Sequence, residues 1–341
     1  MSEFDSISSY ESLYKAHRAA RLGKRDKSDV IKFEMRLSEN LYKLKDALES
    51  ETYVVSGYHN FLVFDPKTRE IQALRYHDRV VQHAVCDGVL SPYFERRLIY
   101  DNAACRKGKG THFAMDRLNG FLCAHYAKHG LRGYALKCDI SKYFDNIDHT
   151  VLKLMLSKCG FEPKVERLLF NIIDSYEKTA DKGLPIGNQT SQYFALFYLD
   201  SVDRLIKERL QIKHYTRYMD DFILIHHDKK YLQACLAEIK NMCEGTLGLN
   251  LNPKTQIFPL VKGVPYLGFR FHLSESGKPL RILERKKKIK LRRMVKCLLL
   301  LPPENNEYVA IRLCSARAHL AHGNEYKLSA ALFPPPPMQR A

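Results

Sequence analysis

The sequence of 341 residues predicts an α+β fold in which a sheet carries helices on one face. Three observations support this class. Helical and strand-like segments alternate irregularly, two adjacent acids interrupt a strand pair at 214–225, and a basic amphipathic segment covers 281–296. The length allows two or three sub-domains around a substantial core.

Apolar periodicity places the elements of the first half. Helical spacing covers 9–50 with a break near 23–28, and alternating strands come next at 52–76 around a turn at 65–67. Helical spacing returns at 77–96 and 111–128. A strand is predicted at 133–140, then a helix at 148–158 that Asp148 caps and Gly160 ends.

The second half continues the irregular alternation. Two helices are predicted at 162–178 and 190–211, followed by the acid-tipped hairpin and a helix at 229–244. Short strands at 252–259 and 264–271 precede helices at 282–301 and 306–321. The run of prolines after Phe333 cannot continue a helix, so this end is predicted to be disordered.

The charge balance indicates a polyanionic partner. Fifty-five Lys and Arg residues stand against thirty-eight acids, giving a net charge of +17. Residues 281–296 hold nine basic residues and one acid, interleaved with apolar positions, which predicts a helix with a basic outer face. A solvated helix face is the plainer interpretation. Contact with a phosphate backbone is favoured because the acidic hairpin needs a polyanion nearby.

Cysteine usage and hydropathy indicate the compartment. Nine cysteines without a CxxC pair argue against a disulfide framework or a zinc ribbon, and predict reduced, mostly buried thiols in a cytoplasmic protein. No stretch is long and uncharged enough to span a membrane, and the N-terminus lacks a signal-peptide core. A membrane partner is therefore not expected.

Paired carboxylates predict a metal site. Asp220 and Asp221 at a hairpin tip can sit close together only if a cation neutralises them, and oxygen ligands of this kind suit Mg²⁺. Asp139 lies in an apolar strand, where it is either a core acid partnered by Lys137 or Arg217 or a third ligand. The shared site is favoured. Two Mg²⁺ ions bridged by Asp139 and Asp220, with Asp221 in support, would serve an in-line phosphoryl displacement.

Three blocks of the chain resemble reverse transcriptases. Residues 139–144 (DISKYF) resemble their first catalytic block, 218–221 (YMDD) their second, and 266–269 (YLGF) their primer grip, in matching order from about 58 to 270. The resemblance implies a right-hand polymerase fold of fingers, palm and thumb, with an antiparallel palm sheet and a helical thumb. It divides the chain into a helical extension (1–57), fingers and palm (58–265), primer grip and thumb (266–333) and a disordered tail (334–341).

The resemblance also implies roles for individual residues. Asp139, Asp220 and Asp221 are the implied catalytic acids, and the carbonyl of Ile140 faces a metal. Lys67 and Arg69 would pair with the incoming dNTP, Phe144 would exclude a ribose 2′-hydroxyl, and Lys254 would protonate pyrophosphate. An ordinary basic hairpin tip, a core Phe and a surface lysine are the alternatives. Primer and template contacts are implied for the following residues: Gln192, Tyr266, Leu267, Gly268, Lys286, Lys287, Lys288 and Arg292.

The loop at 183–192 narrows the family. Gly187 lets backbone approach a base pair closely. Reverse transcriptases usually carry Gln-Gly here and finish the block with Ser-Pro, whereas this chain has Ile186-Gly187 and ends Ser191-Gln192. The departure resembles reverse transcriptases of diversity-generating retroelements, which copy a template-repeat RNA with errors at adenines. Ile186 would remove hydrogen bonds near the nascent base pair and so lower fidelity.

Two other functions compete with this interpretation. One is a reverse transcriptase of another bacterial system, such as phage defence, a retron or a group II intron relative. The other is a non-catalytic RNA-binding scaffold, which the three carboxylates disfavour. Partners implied by the resemblance are template RNA, cDNA primer and a small basic helical accessory protein that assembles as a pentamer. The basic N-terminal 50 residues could dock that protein or serve only as a fingers extension.

Overall fold

The computed structural model of the protein describes residues 2–64 and 68–333. Its N-terminal part is helical, as predicted, with a second break at Met35-Arg36 that the sequence did not indicate. The helices are α1 (Asp5–Ser8), α2 (Tyr10–Ala20), α3 (Ser28–Glu34) and α4 (Leu37–Glu49). Their apolar faces join the main core, where Leu13 and Leu41 are fully buried in one cluster with Val80. The N-terminal helices therefore share a hydrophobic core with the central part of the chain.

An isolated hairpin projects from this helical base. Strands β1 (Tyr58–Val63) and β2 (Arg69–Leu74) pair antiparallel, with Tyr58 opposite Leu74. The strand predicted at 53–55 is not formed, and the predicted turn at 65–67 lies outside the described residues. Three helices come after the hairpin: α5 (Tyr76–Val85), which continues through a π-helical turn into α6 (Ser91–Arg97), and then α7 (Thr111–His129).

A four-stranded antiparallel sheet forms the centre of the molecule. Its order is β4-β5-β3-β6, with the central pair in the register Cys138 opposite Phe222. The elements of this region, in chain order, are β3 (Tyr134–Cys138), α8 (Tyr143–Asn146), α9 (His149–Ser157), α10 (Pro163–Asp174), α11 (Gln189–Tyr198), α12 (Asp200–Arg204), β4 (His214–Tyr218), β5 (Asp221–His226), α13 (Lys229–Gly245) and β6 (Gln256–Pro259). Asp148 caps α9 as predicted, accepting a hydrogen bond from Val151 N at 3.1 Å.

Both faces of this sheet are buried, so the prediction of helices on one face was wrong. On β5, Phe222 and Leu224 join the main core beside α13, whereas Ile223 and Ile225 point to a second core formed with α7. Alternate side chains of a strand point to opposite faces, so this apolar run serves two cores at once.

The edges of the sheet are also covered or short. Residues 101–103 run beside β4, where Ala103 N donates to Arg217 O at 2.9 Å and Arg217 N donates to Asp101 O at 3.1 Å. At the other edge, β6 has four residues and ends at Pro259.

The C-terminal part combines a second sheet with three helices. The strands β7 (Val264–Tyr266), β8 (Phe269–Leu273) and β9 (Pro279–Leu283) precede α14 (Arg285–Leu298), α15 (Asn306–Ala321) and α16 (Tyr326–Leu332). The predicted basic helix begins later than expected, because 279–283 pair with β8 instead. The strand predicted at 264–271 is interrupted at Leu267-Gly268, whose φ angles are 49° and 91°.

All nine cysteines are free, as predicted, but they are not mostly buried. Four are buried, and another four, Cys105, Cys123, Cys297 and Cys314, are exposed. Within the described part of the chain, no helix is long and apolar enough to cross a membrane.

Candidate active site

The turn between β4 and β5 presents the paired acids. Tyr218 lies opposite Asp221, so Met219 and Asp220 form a two-residue turn, as the hairpin prediction required. Met219 adopts a left-handed conformation with φ of 56°, which is costly for a side chain of this size. The turn is held from below, because Arg217 Nη1 donates to Met219 O at 2.9 Å.

Arg217 is itself anchored by a buried acid that the sequence did not single out. Its Nε and Nη2 donate to the two carboxylate oxygens of Asp203 at 2.7 and 2.5 Å, and both side chains are 0% exposed. Tyr215 donates a further hydrogen bond to the same carboxylate. This bidentate pair fixes the guanidinium that supports the Met219–Asp220 turn.

Asp139 directly succeeds β3 and lies beside the paired acids. Since Cys138 pairs with Phe222, the next residue along β3 comes level with Asp221 on β5. Asn252 holds it in place through two contacts: Nδ2 donates to Asp139 Oδ2 at 3.0 Å, and the backbone N donates to Asp139 O at 2.7 Å. The sequence did not indicate this role for Asn252.

The electrostatics show that the three carboxylates influence one another. Burial and then the Asp139 charge raise the pKa of Asp220, while Arg217 and Arg69 oppose the rise. Burial raises the pKa of Asp221 to about 6, with Lys137 opposing and both other acids adding to the rise. A site that concentrates unfavourable negative charge is the environment in which a cation binds well.

Lys137 takes a position that the sequence left open. Its Nζ donates to Asp221 Oδ2 and to Pro265 O, both at 3.0 Å. Lys137 and Arg217, considered as partners of Asp139, thus form their ion pairs with Asp221 and Asp203. Lys137 also links the β4–β5 hairpin to β7, which leads into the Tyr266–Gly268 turn.

The donor set fits a hard cation. Among residues 2–64 and 68–333, no group of three or more His, Cys, Asp or Glu side chains is arranged as a ready-made metal site. Asp221 Oδ1 is nevertheless buried without a hydrogen-bond partner among the described residues. A carboxylate oxygen that lacks a hydrogen-bond donor is free to bind Mg²⁺, which takes its remaining ligands from water and substrate phosphates.

The β1–β2 hairpin brings a basic residue near the acids and binds the 183–188 loop. Arg69 is exposed on β2, and its charge acts to lower the pKa of Asp220. Lys67 lies outside the described residues. Gln72 docks the loop onto β2, because its Oε1 accepts from Ile186 N at 3.1 Å and its N donates to Ile186 O at 3.3 Å. Gly187 has φ of 116°, and a Cβ there would lie 3.1 Å from Ile71 Cγ2.

Phe144 comes five residues after Asp139 in the chain, and Lys254 comes two residues after Asn252, which contacts Asp139. Phe144 is half-buried in α8, with its carbonyl accepting from Leu184 N at 2.8 Å. Ile140 is buried and bridges to Leu251, on the same segment as Asn252. Lys254 is exposed on the turn that Asn252 stabilises by accepting from Lys254 N at 3.0 Å.

The Tyr266–Gly268 turn lies against the basic helix α14. Tyr266 is buried, whereas Leu267 and Gly268 occupy left-handed conformations. A Cβ on Gly268 would collide with the side chain of Lys287, so that lysine lies directly on the turn. Lys288 instead forms an ion pair with Glu325 at 2.7 Å. The remaining basic positions predicted to contact primer and template, Lys286 and Arg292, are exposed on α14.

A basic and aromatic groove leads away from Gly187. Two adjoining cavities of about 320 and 640 Å³ share Ala73, Leu74 and Arg79. Cations and rings line them together, including Lys24, Lys32, Arg75, Phe61 and His59. Basic side chains beside aromatic rings are typical of surfaces that bind single-stranded nucleic acid.

These features define a class of protein. An antiparallel sheet carries one acid at the end of a central strand and two at the neighbouring hairpin turn. Arg69 of the β1–β2 hairpin acts on one of these acids, and the basic helix α14 lies against the turn that follows β7. This arrangement is that of a right-hand polymerase. The chain belongs to the reverse transcriptase (RNA-dependent DNA polymerase) family, whose model matches residues 65–271, about three-fifths of its length.

One solved structure with a TM-score above 0.5 agrees with this fold, and a second is similar at a lower score. Telomerase from Candida albicans, in complex with a fragment of telomeric RNA, matches with a TM-score of 0.51 and 12% identity, over 80% of this chain and 54% of that one. Apo telomerase from Candida tropicalis matches with a TM-score of 0.49 and 13% identity, over 64% and 47%. This chain therefore spans about half the length of the telomerase chains. No curated protein matches its sequence. The predicted right-hand fold is confirmed.

Proposed function

We propose that this protein is an RNA-directed DNA polymerase. The observation that carries the proposal is the meeting of Asp139, Asp220 and Asp221 at one end of the central sheet, in a member of the reverse transcriptase family. Each acid is supported by a dedicated group: Asn252 on Asp139, Lys137 on Asp221 and, through the turn, Arg217 on Asp220. Such support is what a preorganised site requires.

Two Mg²⁺ ions, when bound, would lower the pKa of the primer 3′-hydroxyl and stabilise the pyrophosphate leaving group. Asp139 and Asp220, together with the carbonyl of Ile140, are the groups that would hold these ions. Asp221 supplies a further oxygen, held in position by Lys137. Arg69 and Lys67 would neutralise the triphosphate of the dNTP, and Lys254 would protonate pyrophosphate.

The nucleic acid would run between the β1–β2 hairpin and the basic helix α14. Lys286, Lys287 and Arg292 on α14 would contact phosphates of the primer–template duplex, with Tyr266 to Gly268 against the primer end. The groove beyond Gly187 has the charge and rings to hold the unpaired template. We divide the chain into an extension (1–57), fingers and palm (58–265), and primer grip and thumb (266–333). Lys288 would contribute less, because Glu325 already neutralises it.

Within the family, the proposed role is that of the reverse transcriptase of a diversity-generating retroelement. Such an enzyme makes cDNA from a template-repeat RNA with errors at adenines. The support is the Ile186-Gly187 and Ser191-Gln192 pattern. The backbone of Ile186 is hydrogen-bonded to Gln72, which holds the residue in place. Its side chain is a hydrocarbon and would offer no hydrogen bond to the nascent base pair. The proposed partner is a small basic helical accessory protein. A reverse transcriptase of another bacterial system is the alternative.

The decisive test is cDNA synthesis on a defined RNA template with Mg²⁺ and four dNTPs. Wild type would be compared with Asp220→Ala and with Glu244→Ala, a matched removal of an exposed acid. Loss of synthesis in Asp220→Ala alone supports the polymerase, and binding of RNA without synthesis by any form would favour a scaffold. Sequenced products with errors opposite adenines support the retroelement class, whereas accurate copies favour another bacterial system.

The variant Ile186→Gln tests whether Ile186 lowers the accuracy of copying. Restoring an amide beside the nascent pair should lower the error frequency opposite template adenines. An unchanged error spectrum, with synthesis intact, would remove Ile186 as the cause.

A further inference from the structure

Cys105 occupies an unusual position beside the catalytic hairpin. It is an exposed cysteine with a left-handed backbone, φ 50°, on the segment between α6 and α7. Its Sγ donates to Gln192 Oε1 at 3.5 Å. Two residues earlier in the chain, Ala103 pairs with Arg217, the residue that precedes Tyr218. Cys105 thus contacts the 183–192 block directly and belongs to the segment that pairs with the strand leading into the YMDD turn, which calls for an explanation in terms of the substrate.

The segment that carries Cys105 is held rigidly on both sides. Ala103 N donates to the carbonyl of Arg217 in β4 at 2.9 Å. Arg106, 9% exposed, donates to Ile99 O at 2.7 Å, to Asn102 O at 3.2 Å and to Glu95 Oε2 at 3.0 Å. These bonds fix the backbone immediately before and after Cys105, so its left-handed conformation is imposed by the fold.

The contact with Cys105 determines which atom of the Gln192 amide is available. The partly desolvated thiol has a raised pKa, so it keeps its proton and acts as the donor near neutral pH. The amide oxygen of Gln192 is thereby engaged. Its Nε2 has no acceptor among the described residues, which leaves two N–H donors for a ligand.

We propose that Cys105 is a positioning residue that orients Gln192 to donate to minor-groove acceptors of the primer–template duplex beside Tyr218. The inference rests on the proposed polymerase function and extends it to an added residue. An RNA–DNA hybrid of A-like form presents a wide, shallow minor groove whose base edges a side chain can reach. Ring nitrogens and carbonyl oxygens in that groove accept hydrogen bonds in every base pair, so one amide donor serves any sequence.

The first test measures alkylation of the cysteines without catalysis. The full-length protein in EDTA is treated with iodoacetamide, alone and with a saturating RNA-template/DNA-primer duplex whose binding is verified by anisotropy. Mass spectrometry then gives the rate for each cysteine. We expect the duplex to slow alkylation of Cys105 at least about five-fold while Cys123, also exposed, is unchanged. Equal rates at Cys105 with and without bound duplex would overturn the proposal.

The second test separates positioning from mere packing. Cys105→Ala should weaken duplex binding by about five-fold, the effect of losing one neutral hydrogen bond, and Cys105→Ser should restore it because the hydroxyl is also a donor. Gln192→Glu removes the N–H donors at constant shape and should weaken binding at least as much. A serine variant as weak as the alanine variant, or an alanine variant equal to wild type, contradicts the proposal. Neither measurement needs nucleotide incorporation, so both remain decisive if the polymerase proposal fails.

Discussion

We expect the buried ion pair of Asp203 and Arg217 to stabilise the Met219–Asp220 turn. In Asp203→Ala, the guanidinium of Arg217 loses two charge-assisted hydrogen bonds of 2.7 and 2.5 Å and remains fully buried. Tyr215 loses its acceptor as well. Arg217 keeps its bonds to Leu196 O and Met219 O, but neither carbonyl neutralises its charge.

The expected cost can be estimated from these contacts. Breaking a buried ion pair by removing one partner typically costs about 3–5 kcal/mol, because the other charge is left uncompensated. The bidentate geometry and the additional tyrosine bond keep Asp203→Ala away from the lower end of that range, at about 4 kcal/mol. Replacing both residues, as Asp203→Leu with Arg217→Met, removes the buried charge and should recover about half or more of this loss.

Urea denaturation followed by circular dichroism measures the free energy of unfolding for each variant. Glu238→Ala is the matched control, since it breaks an ion pair of similar length, 2.7 Å to Arg209, whose partners are 67% and 43% exposed. That loss should stay below about 0.5 kcal/mol. A cost for Asp203→Ala no larger than the control, or a double variant less stable than the single one, would refute the reasoning.

Three further predictions concern the site. Because the pKa of Asp221 rises from 3.8 to about 6 on folding, the metal-free protein should lose stability as the pH rises from about 4 to about 6. In urea titrations across this pH range, Asp221→Asn should reduce that loss by about 1–2 kcal/mol. A pH dependence that is the same in the variant would exclude Asp221 as its source. Asn252→Ala should lower the rate of primer extension about five-fold with unchanged melting, since Asp139 loses a donor at 3.0 Å. Gly187→Ala should cost about 1–2 kcal/mol in thermal denaturation, because φ of 116° and a 3.1 Å contact with Ile71 both oppose a Cβ, and a melting temperature equal to wild type would contradict this.

The hairpin and the acids could be predicted from the sequence because each produces a local signal. Two adjacent acids between apolar strand residues leave few other conformations, and Asp139 stands out as a charge in an apolar strand. The family to which the chain belongs was predicted from ordered motifs, and it is confirmed. The retroelement class and the roles of the individual site residues stay predictions.

The supporting residues could not be predicted, because their partners are distant in the sequence. Asn252 reaches Asp139 across 113 positions, and Lys137 reaches Asp221 across 84. Nothing in the local pattern of an Asp in a helical segment distinguishes Asp203 from a solvated residue. Only the start of the helix predicted at 282–301 was wrong, because tertiary pairing with β8 overrides the basic amphipathic pattern at 282–283.

The covered edges of the central sheet have a consequence for aggregation. A strand with unpaired backbone groups can pair with a strand of another chain. The apolar run Phe222–Ile225 in the adjacent strand would favour such aggregation if the edge were open. Here residues 101–103 occupy the margin beside β4, and a short strand ending at Pro259 limits the other. The same segment continues to Cys105, so the stretch of chain that protects the sheet from self-association also reaches the catalytic hairpin. Substitutions at 101–103 should therefore reveal themselves as aggregation and as lost activity together.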